Sequence, residues 1–115
     1  MLEGDNIRVQ NVKGLTDIEL EKIKAFLQGA VCCWCLSYKG EWFMAKDLIA
    51  DHKWENYPLD VLRSRYKNQG KDDKYAFDQA SKDAGKILKK VLLEDERIFE
   101  TKKERDRDDR QYRLK

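Results

Sequence analysis

The stretch AGKILKKVLLEDERIFETKK, residues 84–103, decides the fold, because its hydrophobic period changes within it from helical to alternating. Its first half continues the apolar face of a helix over residues 74–95. That face consists of Phe77, Ala80, Ala84, Ile87, Leu88 and Val91. The alternation in RIFETKK, and again in RQYRLK at 110–115, indicates two β-strands on either side of the polar segment ERDRDD. The sequence therefore predicts a long helix followed by a β-hairpin over residues 98–114.

A second long helix is predicted over residues 16–38. Thr16 can cap its first turn, and Glu19 three residues later completes a capping box. Apolar residues then recur at helical spacing, and Gly40 follows where a helix end is expected. The two long helices are expected to pack together through Phe77, Ala84, Leu88 and Val91 on one side and Leu20, Ile23, Leu27 and Trp34 on the other.

Smaller elements are predicted between the two long helices. Residues 41–43 favour a short strand, and residues 44–51 favour a short helix. Another helix is expected over residues 58–68, with Pro58 at its first position, where a missing N–H is harmless. Asp72 or Asp73 is expected to cap the last long helix.

One glycine, Gly85, lies inside the predicted last helix. Gly85 costs about 1 kcal/mol there relative to Ala, which predicts close helix packing or close backbone approach.

Residues 1–14 are expected to form a flexible N-terminal arm, with room for one edge strand. The fold class is therefore mainly α with a C-terminal β-hairpin, in a single domain over residues 15–115.

Composition excludes several classes of protein. The chain has 115 residues, enough for one domain, and 40% of them are charged, against about a quarter in typical domains. The formal net charge of +2 excludes a long acidic or basic tail. No apolar run of about 18 residues is present, so no membrane span is expected. The opening MLEGDNIRVQ lacks the apolar core of a secretory signal, which leads us to expect a cytoplasmic protein.

The cysteines give a weak chemical signal. Cys32, Cys33 and Cys35 lie within one segment, and His52 is the only other soft metal ligand. One C-x-x-C pair is compatible with a metal or redox site, but structural zinc needs four ligands. We expect reduced, mostly buried cysteines, without metal or cofactor. Because no set of residues meets the criteria for an active site, we also expect no enzymatic activity.

The order of elements resembles the winged helix-turn-helix class. The resemblance covers about residues 16–115 and depends on the strand-to-helix step EWFMAKDLI, residues 41–49, and on the helix-to-hairpin step over residues 84–115. It implies that the helix 74–95 is a recognition helix for duplex DNA and that the hairpin is the wing. The helix at 58–68 departs from the class and leaves open which helix would read DNA.

The resemblance also implies a set of DNA-contacting residues. On the helix they are Gln79, Ser81, Lys82 and Lys86. On the wing they are Lys102, Lys103, Arg105, Arg107 and Arg110. Basic side chains would contact phosphates and polar side chains would read base edges. The expected function is that of a small DNA-binding regulator or accessory factor, acting as a monomer or homodimer.

Charge balance supports an alternative, a protein–protein interaction module of the same fold. Residues 97–115 have a net charge of only +3, and Asp78 and Asp83 accompany the cations of the helix. The basic segment RSRYKNQGK, residues 63–71, fits either nucleic-acid contact or a helix end stabilised by cations. Trp54 could either be exposed and anchor a protein partner or cover the hydrophobic core.

Overall fold

The computed structural model describes residues 1–4, 7–103 and 110–115. Over these residues the chain forms four α-helices, one 3₁₀-helix and one three-stranded sheet, the mainly helical α+β class that the sequence predicts. In chain order the elements are β1 (Leu2–Glu3), α1 (Asp17–Ser37), α2 (Ala45–Leu48), the 3₁₀-helix (Asp51–Glu55), α3 (Asp60–Lys67), α4 (Asp73–Glu94), β2 (Phe99–Lys103) and β3 (Arg110–Leu114).

The two long helices begin where their capping residues predict. Thr16 Oγ1 accepts a hydrogen bond from the Glu19 backbone N–H at 3.1 Å, and the Glu19 carboxylate accepts one from the Thr16 N–H at 2.8 Å. Asp72 likewise accepts from the Tyr75 N–H at 2.8 Å. These side chains satisfy backbone donors that have no partner within the helix, so the start of each helix is fixed locally.

One core joins α1, α4 and the sheet. Its buried residues include Ile23 and Leu27 of α1, and Ala84, Leu88 and Val91 of α4, as the sequence predicts. The prediction for Phe77 was wrong, since this side chain is 39% exposed. Phe77 lies at the edge of the apolar stripe, where its ring contacts Trp54 instead of α1.

The predicted hairpin is confirmed as the antiparallel pair β2–β3. Phe99 pairs with Leu114, Thr101 with Tyr112, and Lys103 with Arg110, so these pairs share one face of the sheet. The strand predicted at 41–43 is reduced to one bridge, in which Phe43 and Tyr112 exchange backbone hydrogen bonds of 2.8 and 2.7 Å.

The N-terminal segment adds a third strand. In β1, Leu2 is buried and pairs in parallel with Phe99. The α-ammonium group of Met1 donates hydrogen bonds to the carbonyls of Leu92 and Arg97 at 2.6 and 2.7 Å. The edge strand is therefore at the first residues of the chain, held against the end of α4.

Three local predictions were wrong. Cys32 and Cys33 of α1 are exposed, and only Cys35 is buried. The helix α3 begins at Asp60 rather than at Pro58, and its N-cap residue forms no side-chain cap. No side chain packs closely on Gly85, because a Cβ built there has no neighbour within 4 Å.

Candidate nucleic-acid interface

A groove with a volume of about 1360 Å³ runs along the outward face of α4. Its walls come from α2, from the last residue of β2 and the first of β3 in the hairpin, and from the N-terminal segment around Arg8 and Gln10. The cations that line it are Arg8, Lys46, Lys82, Lys86, Lys89, Lys103 and Arg110. The only carboxylates among its described lining residues are Asp51 and Asp78. We call this feature the basic groove.

Helical spacing places the lysines of α4 in the basic groove. Lys82, Lys86 and Lys89 follow one another at intervals of four and three residues, which keeps them on one face. Ser81 and Gly85 lie between them on the groove floor. The opposite face carries the buried alanines and leucines of α4, so packing of the core turns the lysines outward.

The pairing register of the hairpin supplies the other wall. Lys103 and Arg110 are the last paired residues of β2 and β3, and they share a face with Thr101 and Tyr112. The Arg110 guanidinium donates a hydrogen bond to Thr101 Oγ1 at 3.2 Å. This face is continuous with the core at one end and with the basic groove at the other.

Positive charges from three elements converge at Lys89. Partial burial lowers the pKa of Lys89, and the positive charges of Arg110, Lys103 and Arg8 lower it further. In the part of the chain that the structure describes, no carboxylate oxygen lies within 4.0 Å of the ammonium nitrogen of Lys82, Lys89 or Lys103. The basic groove is therefore a site where an added anion would relieve repulsion between like charges.

Asp83 does not weaken this positive field in the way that the sequence suggested. It is buried on the other side of α4, where its Oδ2 accepts hydrogen bonds from the Tyr66 hydroxyl at 2.6 Å and from Arg65 at 3.2 Å. Burial raises the pKa of Tyr66, and its hydrogen bond to Asp83 raises it further. Asp83 thus holds α3 against α4, with Lys86 Nζ at the edge of this cluster, 4.0 Å from Oδ1.

The basic segment 63–71 has acidic and aromatic partners within the protein. Besides the Arg65–Asp83 pair, Lys67 Nζ lies 2.5 Å from Asp73 Oδ1, and this contact lowers the pKa of Asp73. The ammonium of Lys71 lies 5.2 Å from the centre of the Tyr75 ring. These contacts favour the interpretation of the segment as a structural helix end.

The structure brings five of the nine predicted site residues into the basic groove: Ser81, Lys82, Lys86, Lys103 and Arg110. Gln79 is not among its lining residues. Lys102 lies on the other face of the hairpin, with its ammonium 4.3 Å from the centre of the Trp42 ring. Arg105 and Arg107 lie outside the described residues.

Three groove cations were missed by the sequence-based site. Lys89 follows Lys82 by seven residues on the same helical face, so its spacing was a usable signal. Arg8 comes from the N-terminal segment, and Lys46 comes from the four-residue helix α2. Neither segment has a sequence pattern that indicates which way its side chains point.

The aromatic lining of the basic groove also differs from expectation. Trp54 is only 4% exposed, so it belongs to the core and is not an exposed anchor for a partner. Phe77 lies on it with a ring-centre distance of 5.3 Å and a tilt of 66°. The exposed aromatic surface at this end of the groove is therefore that of Phe77.

Over 1–4, 7–103 and 110–115, no three His, Cys, Asp or Glu side chains are grouped so that they could hold a metal ion. None of the helices described combines the length and the apolar character needed to cross a lipid bilayer. No protein-family model, curated protein or solved structure matches this chain.

Proposed function

We propose that this protein binds nucleic acid through the basic groove, without making or breaking a covalent bond. The observation that carries the proposal is the convergence of Lys82, Lys89 and Lys103 without a carboxylate beside their ammonium groups in the described chain. Lysine and arginine at this density neutralise phosphates and release their counterions, which is the main source of affinity for nucleic acid.

The size of the basic groove supports a polymeric ligand. Sites for small molecules have volumes of about 300–1,000 Å³ and are lined mainly by apolar groups. The basic groove, at about 1360 Å³, is larger, and Lys82 and Lys86 extend its positive charge about 10 Å along α4 from the cluster around Lys89. A chain of phosphates matches this distribution better than a single small anion does.

Binding of duplex DNA is one form of this proposal, the winged-helix interpretation, in which α4 is the recognition helix and the hairpin is the wing. The backbone bridge between Phe43 and Tyr112 supports it, because it occupies the place of the short strand that precedes the second helix in that class. The position of Lys103 and Arg110 beside α4 supports it as well. On this proposal, the protein acts as a regulator or accessory factor on DNA.

The direct test measures binding of fluorescein-labelled DNA, single-stranded and duplex, to the wild type and to the double variant Lys82→Ala/Lys89→Ala. We expect the variant to bind at least about tenfold more weakly at low salt, because phosphate contacts are lost. The matched control is Lys22→Ala/Lys39→Ala, which removes the same charge from exposed positions outside the groove. Equal affinities of the two variants, or no saturable binding by the wild type, would contradict the proposal.

A protein-interaction module is the second candidate function. The C-terminal end of α1 favours it, since Leu36 is 87% exposed and Cys32 and Cys33, one turn earlier on the same face, are also exposed. Such a surface is suited to a protein partner or a second copy of the chain. If the wild type binds no nucleic acid, sedimentation of the wild type and of Leu36→Ser would test this candidate by self-association.

A further inference from the structure

We propose that the basic groove holds one unpaired nucleic-acid strand, whose backbone crosses α4 at Gly85 and one of whose bases stacks on Phe77. This inference rests on the proposed function, that the groove binds nucleic acid. It adds the form of the nucleic acid and two contact residues that are not charged.

Gly85 is placed where a ligand can approach the helix backbone. It lies on the floor of the basic groove, on the face that carries Lys82 and Lys89. A Cβ built at Gly85 meets no atom within 4 Å, so folding does not require glycine here. Alanine would favour the helix, whereas glycine leaves the backbone open to a phosphodiester chain between the lysines.

Phe77 offers a face on which a base can stack. It lies on the same side of α4 as Gly85, eight residues or about 12 Å towards the N-terminus. Its side chain is 39% exposed, and the edge contact with buried Trp54 fixes its orientation. An aromatic platform next to a row of cations is the usual means of binding single strands without reading their sequence.

The shape of the groove favours a strand over a duplex. A recognition helix must protrude to enter the major groove of DNA, which is about 12 Å wide. Here α4 is the floor of a groove and not a protruding ridge, since α2 with Lys46, the N-terminal segment with Arg8 and the hairpin with Lys103 also line it. From Phe77 to Lys89 the floor extends about 18 Å, the length of about five stacked nucleotides.

The first experiment compares two glycine variants in binding a fluorescein-labelled thymidine decamer. Gly85→Ala is expected to raise the melting temperature by about 4 °C, because alanine favours the helix, and to weaken binding about tenfold. Gly29→Ala is the matched control, since Gly29 also lies within a long helix with no atom near its Cβ, but outside the basic groove. It is expected to raise the melting temperature and to leave binding unchanged.

The second experiment tests stacking on Phe77. Phe77→Ala is expected to weaken binding of the decamer about tenfold, the effect of losing one stacked base, whereas Phe77→Tyr keeps an aromatic face and wild-type affinity. The wild type should also bind the single strand more tightly than a duplex of the same length. We therefore expect Gly85→Ala and Phe77→Ala to bind the decamer more weakly, and Gly29→Ala and Phe77→Tyr to bind it as the wild type does.

The outcomes separate the two proposals. If the wild type binds the decamer but Gly85→Ala and Phe77→Ala bind it equally well, the strand proposal is wrong while nucleic-acid binding by the groove stands. Tighter binding of the duplex than of the single strand would also overturn the strand proposal. If the wild type binds neither form, the proposed function itself fails.

Discussion

Two clusters of positive charge in this protein, the segment 63–71 at the end of α3 and the basic groove, have opposite surroundings. At the end of α3, Arg65 and Lys67 each contact a carboxylate, at 3.2 and 2.5 Å. In the basic groove, partial burial lowers the pKa of Lys89, and the positive charges of Arg110 and Lys103 lower it further. One cluster uses its charge to hold helices together, and the other presents its charge to solvent.

The difference shows that a lysine or arginine can bind a ligand only where the fold places no carboxylate beside it. Both clusters lie near acidic residues along the chain, and both have several lysines or arginines. Packing turns Asp83 of α4 towards α3, so the same helix gives a neutralised face and a positively charged face. Net charge alone, at +2 for the whole chain, therefore underestimates the field in the groove.

The largest expected effect comes from breaking the cluster at α3. Arg65→Ala would leave the buried carboxylate of Asp83 with the more distant Lys86 as its cation, 4.0 Å away, and we expect a loss of about 3 kcal/mol in the free energy of unfolding. Urea denaturation at neutral pH measures it. A loss below about 0.5 kcal/mol would mean that the pair contributes no more than an exposed one.

A smaller effect is expected from Tyr66→Phe, which removes the 2.6 Å hydrogen bond to Asp83. Hydrogen bonds to charged groups contribute about 1.5 kcal/mol or more, and we expect that loss at pH 7. Because the pKa of Tyr66 is raised in the folded state, the wild type loses this advantage as the pH rises above about 10. Denaturation from pH 7 to 11 should show the two proteins converging; a constant difference would contradict this account.

Much of the fold could be predicted because its signals are local. The caps at Thr16 and Asp72 satisfy backbone groups within one turn of helix, and the alternation in RIFETKK and RQYRLK is visible in short windows. Phe77 was wrongly assigned to the core. Helical spacing shows on which side of α4 a residue lies, but it does not show how far around the helix the covering elements extend.

The site could be predicted only in part, because the sequence does not show which way each cation points or which distant residues contact it. Lys102 and Lys103 occupy opposite faces of β2, as strand alternation requires, but the sequence does not show which of these faces adjoins α4. Asp83 reads as a surface residue until its partners are known, and these lie 17 and 18 residues away. Arg8 enters the groove from a segment that carries no pattern at all.

The smallest expected effect compares the two neighbouring lysines of the hairpin. Lys103→Ala should weaken nucleic-acid binding about fivefold through the loss of one phosphate contact. Lys102→Ala should leave the affinity unchanged, because the Lys102 ammonium lies over the Trp42 ring on the other face. Fluorescence anisotropy with one labelled oligonucleotide measures both, and equal losses would show that the hairpin contacts nucleic acid with both faces.

The most direct test of the central claim is the salt dependence of nucleic-acid affinity in two double variants of equal charge. One, Lys82→Ala/Lys89→Ala, removes cations of the basic groove, and the other, Lys67→Ala/Lys71→Ala, removes cations that have partners within the protein. We predict that the slope of log affinity against log salt falls in magnitude by about 1.5 for the groove variant and is unchanged for the other. Equal changes in the two slopes would contradict the claim that the groove is where this protein meets its ligand.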